Sequence, residues 1–462
     1  MPKPRKRDYG DHVFYRDVRR TPPVIVAGQG IYLYDEDGVE YIDGCAGSLV
    51  ANIGHGVEVV ADALAAQAGR VAFTHLSRFT TQPLMRLADL VAGLTPAGLD
   101  RVYFVSGGSE AVESCFKFAR TYFVERDGPG TAKHRIIARQ HSFHGNTLGA
   151  LAATGHRLRR QKYLPMLADF PHVPACYCYR CYYNLTYPAC GVACARALEE
   201  AIGVHGAASL AAFIAEPVVG AAAGAVPPVP EYWPMVRDIC DRHDLLLIAD
   251  EVMTGFGRTG AHFAVDHYGV RPDILACAKG MSAGYAPLGA MVVKEELHRV
   301  LLEGSGRFTH GHTYGGNPLA AAAGVAVLEY YRQGRLVDNA RVMGERLLAA
   351  IASLAGSPIL GDVRGRGLLI GVELVADRAT RRPFAAAAAV GERLAERCLA
   401  HGLVVYPGGG QADAGGDHVL IGPPLTITAA EIDELARRFG LGLADLEAEL
   451  AAGGQGGREQ GN

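Results

Sequence analysis

Asp244–Gly260, DLLLIADEVMTGFGRTG, and Pro272–Ala290, PDILACAKGMSAGYAPLGA, decide how this chain is read. Each holds a short apolar run, Leu245–Ala249 and Ile274–Ala278, and each run delivers one ionisable residue, Asp250 and Lys279 respectively. Runs this apolar predict strands buried on both faces, as in a parallel sheet with helices on each side. Their polar ends then meet at the carboxyl edge of that sheet, where open α/β folds place ligands.

Taken singly, an acid at a strand end is most often a cap for the next turn, and a Lys-Gly pair a solvated loop charge. Brought to one edge from two buried strands, they form a chemically specific pair. An amine that can form a Schiff base and a carboxylate that can keep a pyridine nitrogen protonated are what a pyridoxal phosphate (PLP) site needs. The chain is therefore expected to be an enzyme.

Working outward, strand-like and helix-like stretches alternate from about residue 100 to 290. Strands are expected at Arg101–Val105, Arg135–Ala138, Ala211–Ala215 and Gly289–Val293 beside the two above, and Ala111, Val112, Cys115, Phe116 and Ala119 fall at helical spacing. Before this region, GIYLYDEDGVEYIDG reads as a hairpin turning at Asp37-Gly38. After it come a helical stretch, the strand-rich Arg364–Leu374, a helix near Val390–His401 and a strand at His418–Ile421. The simplest partition is a large cofactor domain at 66–330, a small α+β domain built from 1–65 and 331–450, and a disordered glycine-rich tail at 451–462.

The 462 residues are 49% apolar and 20% charged, with a net charge of −3, so no basic excess points to nucleic acid. Charges or glycines interrupt every apolar run before membrane-spanning length, and no apolar segment follows the basic Lys3–Arg7, so a cytoplasmic protein without membrane attachment is expected. The 10 cysteines include a crowded group, Cys176, Cys178, Cys181, Cys190 and Cys194. Cys178, Cys181, Cys190 and Cys194 could form a structural zinc site, although the spacing suits one only loosely; reduced surface thiols are the commoner outcome, and no catalytic metal is expected.

Further motifs fall at the same sheet edge. VSGGSEAVE (Val105–Glu113) sets a Gly-Gly-Ser turn between a strand and a helix, which suits a phosphate, or else is a plain helix cap. HSFHGNTLGA places Phe143 at a strand end where it can lie on a planar ring; packing into the core is the usual fate of such a residue. AFIAEPVVG brings Glu216 to that edge, and HGHTYGGNPLA carries Thr313 before an alanine-rich helix.

In order, GGSEA, SFHG, AEPVVG, DEVMTGFGRTG, AKGMSAGYAPLGA, HGHTYGGNP and IGPPLTIT make the chain from about Gly30 to Gly440 resemble the class III aminotransferases, the ω-transaminase-like branch of fold-type-I PLP enzymes. The resemblance implies an α/β fold-type-I transferase with a mostly parallel seven-stranded sheet, PLP as cofactor, and ping-pong transfer from an amine donor to a keto acid acceptor such as pyruvate. It makes Lys279 the Schiff-base lysine and proton shuttle, and Asp250 the partner of the pyridine nitrogen. Phe143 and Val252 would flank the ring, with Phe143 standing where tyrosine is more usual. His144 would lie beside the cofactor, Gly108 and Ser109 would bind the phosphate, and Glu216 would sit on the cofactor's hydroxyl side. Thr313 would reach the phosphate of a neighbouring subunit, which implies a homodimer with shared sites. Leu49, where relatives place a bulky aromatic, implies a roomier substrate pocket. No arginine lies between Gly402 and Pro424, where relatives often hold a substrate carboxylate. A racemase, decarboxylase or lyase on the same scaffold is the alternative.

Overall fold

The computed structural model describes residues 12–409 and 416–455. Its centre is a seven-stranded sheet of β1 (Leu99–Val105), β2 (Arg135–Arg139), β3 (His172–Val173), β4 (Leu210–Ala215), β5 (Leu246–Asp250), β6 (Ile274–Cys277) and β7 (Gly289–Lys294), in the spatial order β1-β7-β6-β5-β4-β2-β3. From β6 through β5, β4 and β2 to β3 all pairs are parallel, while β7 runs antiparallel to both β1 and β6. The reversal has a simple cause: the connection from β6 to β7 contains a single short turn at Lys279–Met281, and a parallel return would need a crossover element.

The apolar runs are buried on both faces. In β5 and β6, Ile248, Ile274 and Ala276 pack with the helix Gly108–Asp127, whose Ala111, Val112, Cys115, Phe116 and Ala119 form its buried stripe. The alternate residues Ala249, Leu275 and Cys277 face a second core with Ala320, Ala321, Ala323 and Val327 of the helix Pro318–Gln333. The period of two along each strand and the presence of a core on either side explain why these runs contain no polar residue.

Two smaller sheets flank this layer. Ile25–Gln29, Tyr32–Asp35 and Glu40–Asp43 form a meander, and Leu403–Val404 joins its edge parallel to Glu40–Asp43, so the two ends of the chain share a sheet. Gly38, at a φ of +78°, makes the turn between its second and third strands. Leu360–Arg366, Leu369–Leu374, His418–Ile421 and Tyr406–Gly408 form the other sheet, all antiparallel. The final helix, Ala429–Gln455, continues past Ala451, where sequence had predicted the tail to leave regular structure, because Ala451 and Ala452 are strong helix formers. The rest of that predicted tail, and the basic Lys3–Arg7, lie outside the described residues.

The loop after β5 is tied to both chain ends by one buried cation. Arg258 has no exposed surface, and its guanidinium donates to Pro423 O (2.5 Å), Leu368 O (3.1 Å) and Asn52 Oδ1 (2.6 Å). Asn52 in turn donates to Phe256 O at 3.0 Å. Arg258→Ala would leave these acceptors unpaired in the interior, so it is expected to lower unfolding free energy by about 3 kcal/mol or more in urea titration. A loss below about 1 kcal/mol would show that the acceptors find other partners.

Candidate active site

A cavity of about 420 Å³ opens where four strands end, in the size range of small-molecule sites. Ser106 and Gly107 follow β1, Glu216 follows β4, Asp250 ends β5, and Ala278 and Lys279 follow β6. Pro287 and Leu288 precede antiparallel β7 and so come to the same edge. Gly108, Ser109, Phe143, His144 and Val252 also line it. The structure thus gathers Lys279, Asp250, Gly108, Ser109, Phe143, His144, Glu216 and Val252 around one space.

Asp250 lies on β5 opposite Ala276 of β6, three residues before Lys279. Its Oδ2 accepts from His144 Nδ1 at 2.6 Å, and its Oδ1 from the Val252 N–H at 3.1 Å. With its proton on Nδ1, His144 serves Asp250 alone, for its buried Nε2 meets no partner. Lys279 adopts a φ of +42°, in the left-handed region that non-glycine residues rarely enter. The turn fixes it there: Ser282 N–H and Ala283 N–H donate to Lys279 O at 3.2 and 2.9 Å. Such local strain is characteristic of functional positions. Burial brings the Lys279 amine from its ordinary 10.5 down to about 8, while Asp250 and Glu216 pull the other way.

One end of the cavity is the start of the helix Gly108–Asp127, whose first amides have no intrahelical acceptor, an arrangement that suits an anion. Glycine is required at 108 because a methyl group there would lie 2.7 Å from Val252 Cγ1. At Gly107, by contrast, a methyl would meet nothing within 4 Å, so this backbone borders open space. Ser109 Oγ accepts from the Asn146 N–H at 3.1 Å, which leaves its own proton for a ligand. Glu110 accepts from Ser106 N–H at 2.8 Å, so its carboxylate is occupied by the turn before the helix.

Glu216 is almost wholly buried, and burial raises its pKa. Its Oε1 accepts from Gly220 N–H (3.1 Å) and its Oε2 from Phe143 N–H (3.4 Å), linking the segments after β4 and β2. An amide cradle for phosphate, a buried carboxylate, a poised amine, and Phe143 with Val252 in the wall form a set that fits PLP.

Of the residues expected at this chain's own cavity, Leu49 does not line it. Leu49 is 1% exposed and packs with Val218, Leu369 and Leu420, while its neighbour Val50 lines the cavity. The cause is local: Gly47, Ser48 and Leu49 leave helical geometry, which turns the Leu49 side chain inward. Thr313 is exposed and does not line the cavity of this chain. As for a metal, among the described residues no group of three or more His, Cys, Asp or Glu side chains is placed to hold an ion, so Cys178, Cys181, Cys190 and Cys194 are not assembled as ligands. All of them are free thiols around a small crevice.

Sequence reading gave no role to Val50, Asn146, Met253, Ser282 or Gly284, which also line the cavity. Asn146, Ser282 and Gly284 sit inside quoted motifs and could have been flagged by position. Val50 has no such signal.

The class-III aminotransferase family model matches residues 13–441. An uncharacterized aminotransferase of Bacillus subtilis is 38% identical over 93% of this chain and 96% of its own. A transaminase from the marine bacterium Virgibacillus superposes with a TM-score of 0.89 at 34% identity, covering 96% of this chain and 98% of that one. A PLP-bound amine transaminase from an uncultivated Pseudomonas species gives 0.87 at 34% identity, covering 96% and 100%. The chain belongs to the class-III aminotransferase family.

Proposed function

We propose that Lys279 and Asp250 are the catalytic pair of this aminotransferase, serving transfer of an amino group from a primary amine or amino acid to a keto acid such as pyruvate. The observation that carries the assignment is their convergence from adjacent strands on a cavity that also has an amide cradle at one end. PLP, when bound, supplies the electron sink that makes the substrate carbon acidic. Asp250, oriented by His144 and the Val252 amide, keeps the pyridine nitrogen protonated. Gly108, Ser109 and the helix amides hold the phosphate. Phe143 and Val252 confine the ring, and Glu216 faces its hydroxyl side. Lys279, whose amine burial brings down to about 8, is placed to take the proton from the amine-bearing carbon of the substrate.

The protein is further proposed to act as a homodimer in a reducing, cytoplasmic setting, with the domain division set out above. Phe73, Leu76, Phe79 and Tyr314 are exposed, Phe73 meets Tyr314 edge-on at 6.1 Å, and Leu76 borders Gly316, so an apolar surface adjoins the loop of Thr313. Covering that surface by a second copy would bring Thr313 to the other cavity. Among the described residues no helix is long and apolar enough to cross a membrane.

Lys279→Ala is expected to abolish turnover, and Asp250→Asn to lower kcat by about 10²–10⁴-fold with the fold retained, checked by assays with pyruvate and by thermal unfolding. Retention of full turnover by Lys279→Ala would remove the assignment; racemisation of an amino acid without loss of amine would favour the racemase alternative.

The pH dependence follows from the direction of the lysine shift. Burial disfavours the ammonium form, so the free amine dominates above about pH 8 rather than above 10.5. Uptake of PLP by the apo-protein should therefore accelerate with rising pH and level off just above 8. Glu216→Gln should move the midpoint lower, because the Glu216 charge favours the ammonium. A midpoint near the ordinary lysine value would contradict the buried amine.

Light scattering is expected to show a dimer, and Phe79→Asp to produce monomers that bind PLP more weakly. Monomers with unchanged affinity would mean that Thr313 takes no part in the partner's site.

A further inference from the structure

The helix Arg157–Gln161 carries a cation that the site described above does not use. Gly155 N–H donates to Ser142 O and Oγ, both at 3.0 Å, which folds the chain back beside Phe143. Arg159 on the next turn then lies with its guanidinium carbon 4.4 Å from the Phe143 ring centroid. Its Nη2 donates to Tyr406 Oη at 3.3 Å. Tyr406 and Met253 pack against the same apolar cluster around Leu49 and Val218, and both Met253 and Phe143 line the cavity.

Among the described residues Arg159 has no carboxylate within ion-pair distance. Four other arginines are committed: Arg258 donates to three acceptors, Arg364 holds Asp362 and Glu373, Arg180 holds Glu373, and Arg139 donates to Glu216 O. A guanidinium stacked on an aromatic ring spends its flat face there and keeps its N–H edges in plane, the geometry that receives a carboxylate through two parallel bonds. The charge also reaches Lys279, where it acts against the ammonium form.

We propose that Arg159, stacked on Phe143 and steadied by Tyr406, binds the carboxylate of amino and keto acid substrates and so determines specificity at this cavity. The proposal rests on the transaminase reading. It would make an arginine contributed before β3 the carboxylate partner, although none lies between Gly402 and Pro424.

The test follows the first half-reaction of the PLP-loaded enzyme by its visible absorbance, using matched donors: alanine with ethylamine, and 5-aminopentanoate with pentylamine. The wild type should prefer at least one carboxylate-bearing member. Arg159→Leu should raise the half-saturating concentration of that member by about 10–100-fold, the effect of losing charge-assisted hydrogen bonds, and leave its uncharged match nearly unchanged. Arg159→Lys should recover part of the loss. Equal shifts for both members of a pair, as expected if Arg159 only props the Phe143 ring, would overturn the proposal, as would no shift or no wild-type preference. Loss of absorbance with none of the donors, in enzyme shown to hold PLP, would instead overturn the transaminase reading itself.

Discussion

The buried guanidinium of Arg258 is the constraint on which the geometry of the cavity depends. Strand ends at a sheet edge are fixed only as well as the loops that leave them, and the loop after β5 leaves toward the small sheets. Arg258 closes that loop onto Leu368 in a hairpin turn, Pro423 after the last strand and Asn52 near the first helices. These partners are far apart in sequence, so the loop cannot settle until both chain ends have arrived. Asn52 extends the constraint to the second strand end, since a side chain at Gly280, next to Lys279, would collide with its amide. Asp250 and Lys279 are thus referred to a common anchor. A lysine in the same position would offer a point charge, whereas the planar fork reaches several acceptors at once.

On that frame the electrostatics of the site can be held away from equilibrium with water. An amine and two carboxylates share a largely dry space. Left to Coulomb attraction, Lys279 would stay an ammonium; burial opposes this and wins, bringing it to about 8. Asp250 has donors of its own, His144 and the Val252 amide, which fix the direction of its carboxylate. The Glu216 carboxyl is pushed up by burial. The same burial therefore lowers the proton affinity of the Lys279 amine and raises that of the Glu216 carboxyl, and a division of acid and base roles can rest on such opposed shifts.

What sequence could reveal followed from the range of the forces involved. The runs in β5 and β6 were legible because burial on both faces excludes polar residues locally, and the helix beginning at Gly108 because its apolar stripe is periodic. The two-residue β3, His172–Val173, was not predicted as a strand, for it is too short to show any period and exists only through pairing with β2. Residues within motifs, such as Glu216 and His144, were found with their neighbours. Leu49 was not, because its direction depends on backbone angles at Gly47 and Ser48 that composition does not encode. Arg159 left no trace in the pattern, since its surroundings are made by a fold-back at Gly155 and by Tyr406.

The cysteine-rich segment illustrates the same limit in another way. Its spacing invited a metal, yet its side chains point to a bracing role. Tyr177 and Arg180 both donate to Glu373, a carboxylate 1% exposed on the strand Leu369–Leu374. Arg364 joins them at 2.6 Å and also donates to Ala223 O and Gly224 O, in the turn that follows Glu216. A carboxylate buried this deeply is tolerable only with several donors, and Arg364 holds its pKa below the ordinary range. The segment, the small sheet and the Glu216 turn are consequently locked through one acid. The wall of the cavity carrying Glu216 and Phe143 is held from behind by Arg364, 140 positions beyond the Gly224 carbonyl it grips, and it is this fixed wall that allows Phe143 to present a steady face to whatever lies against it.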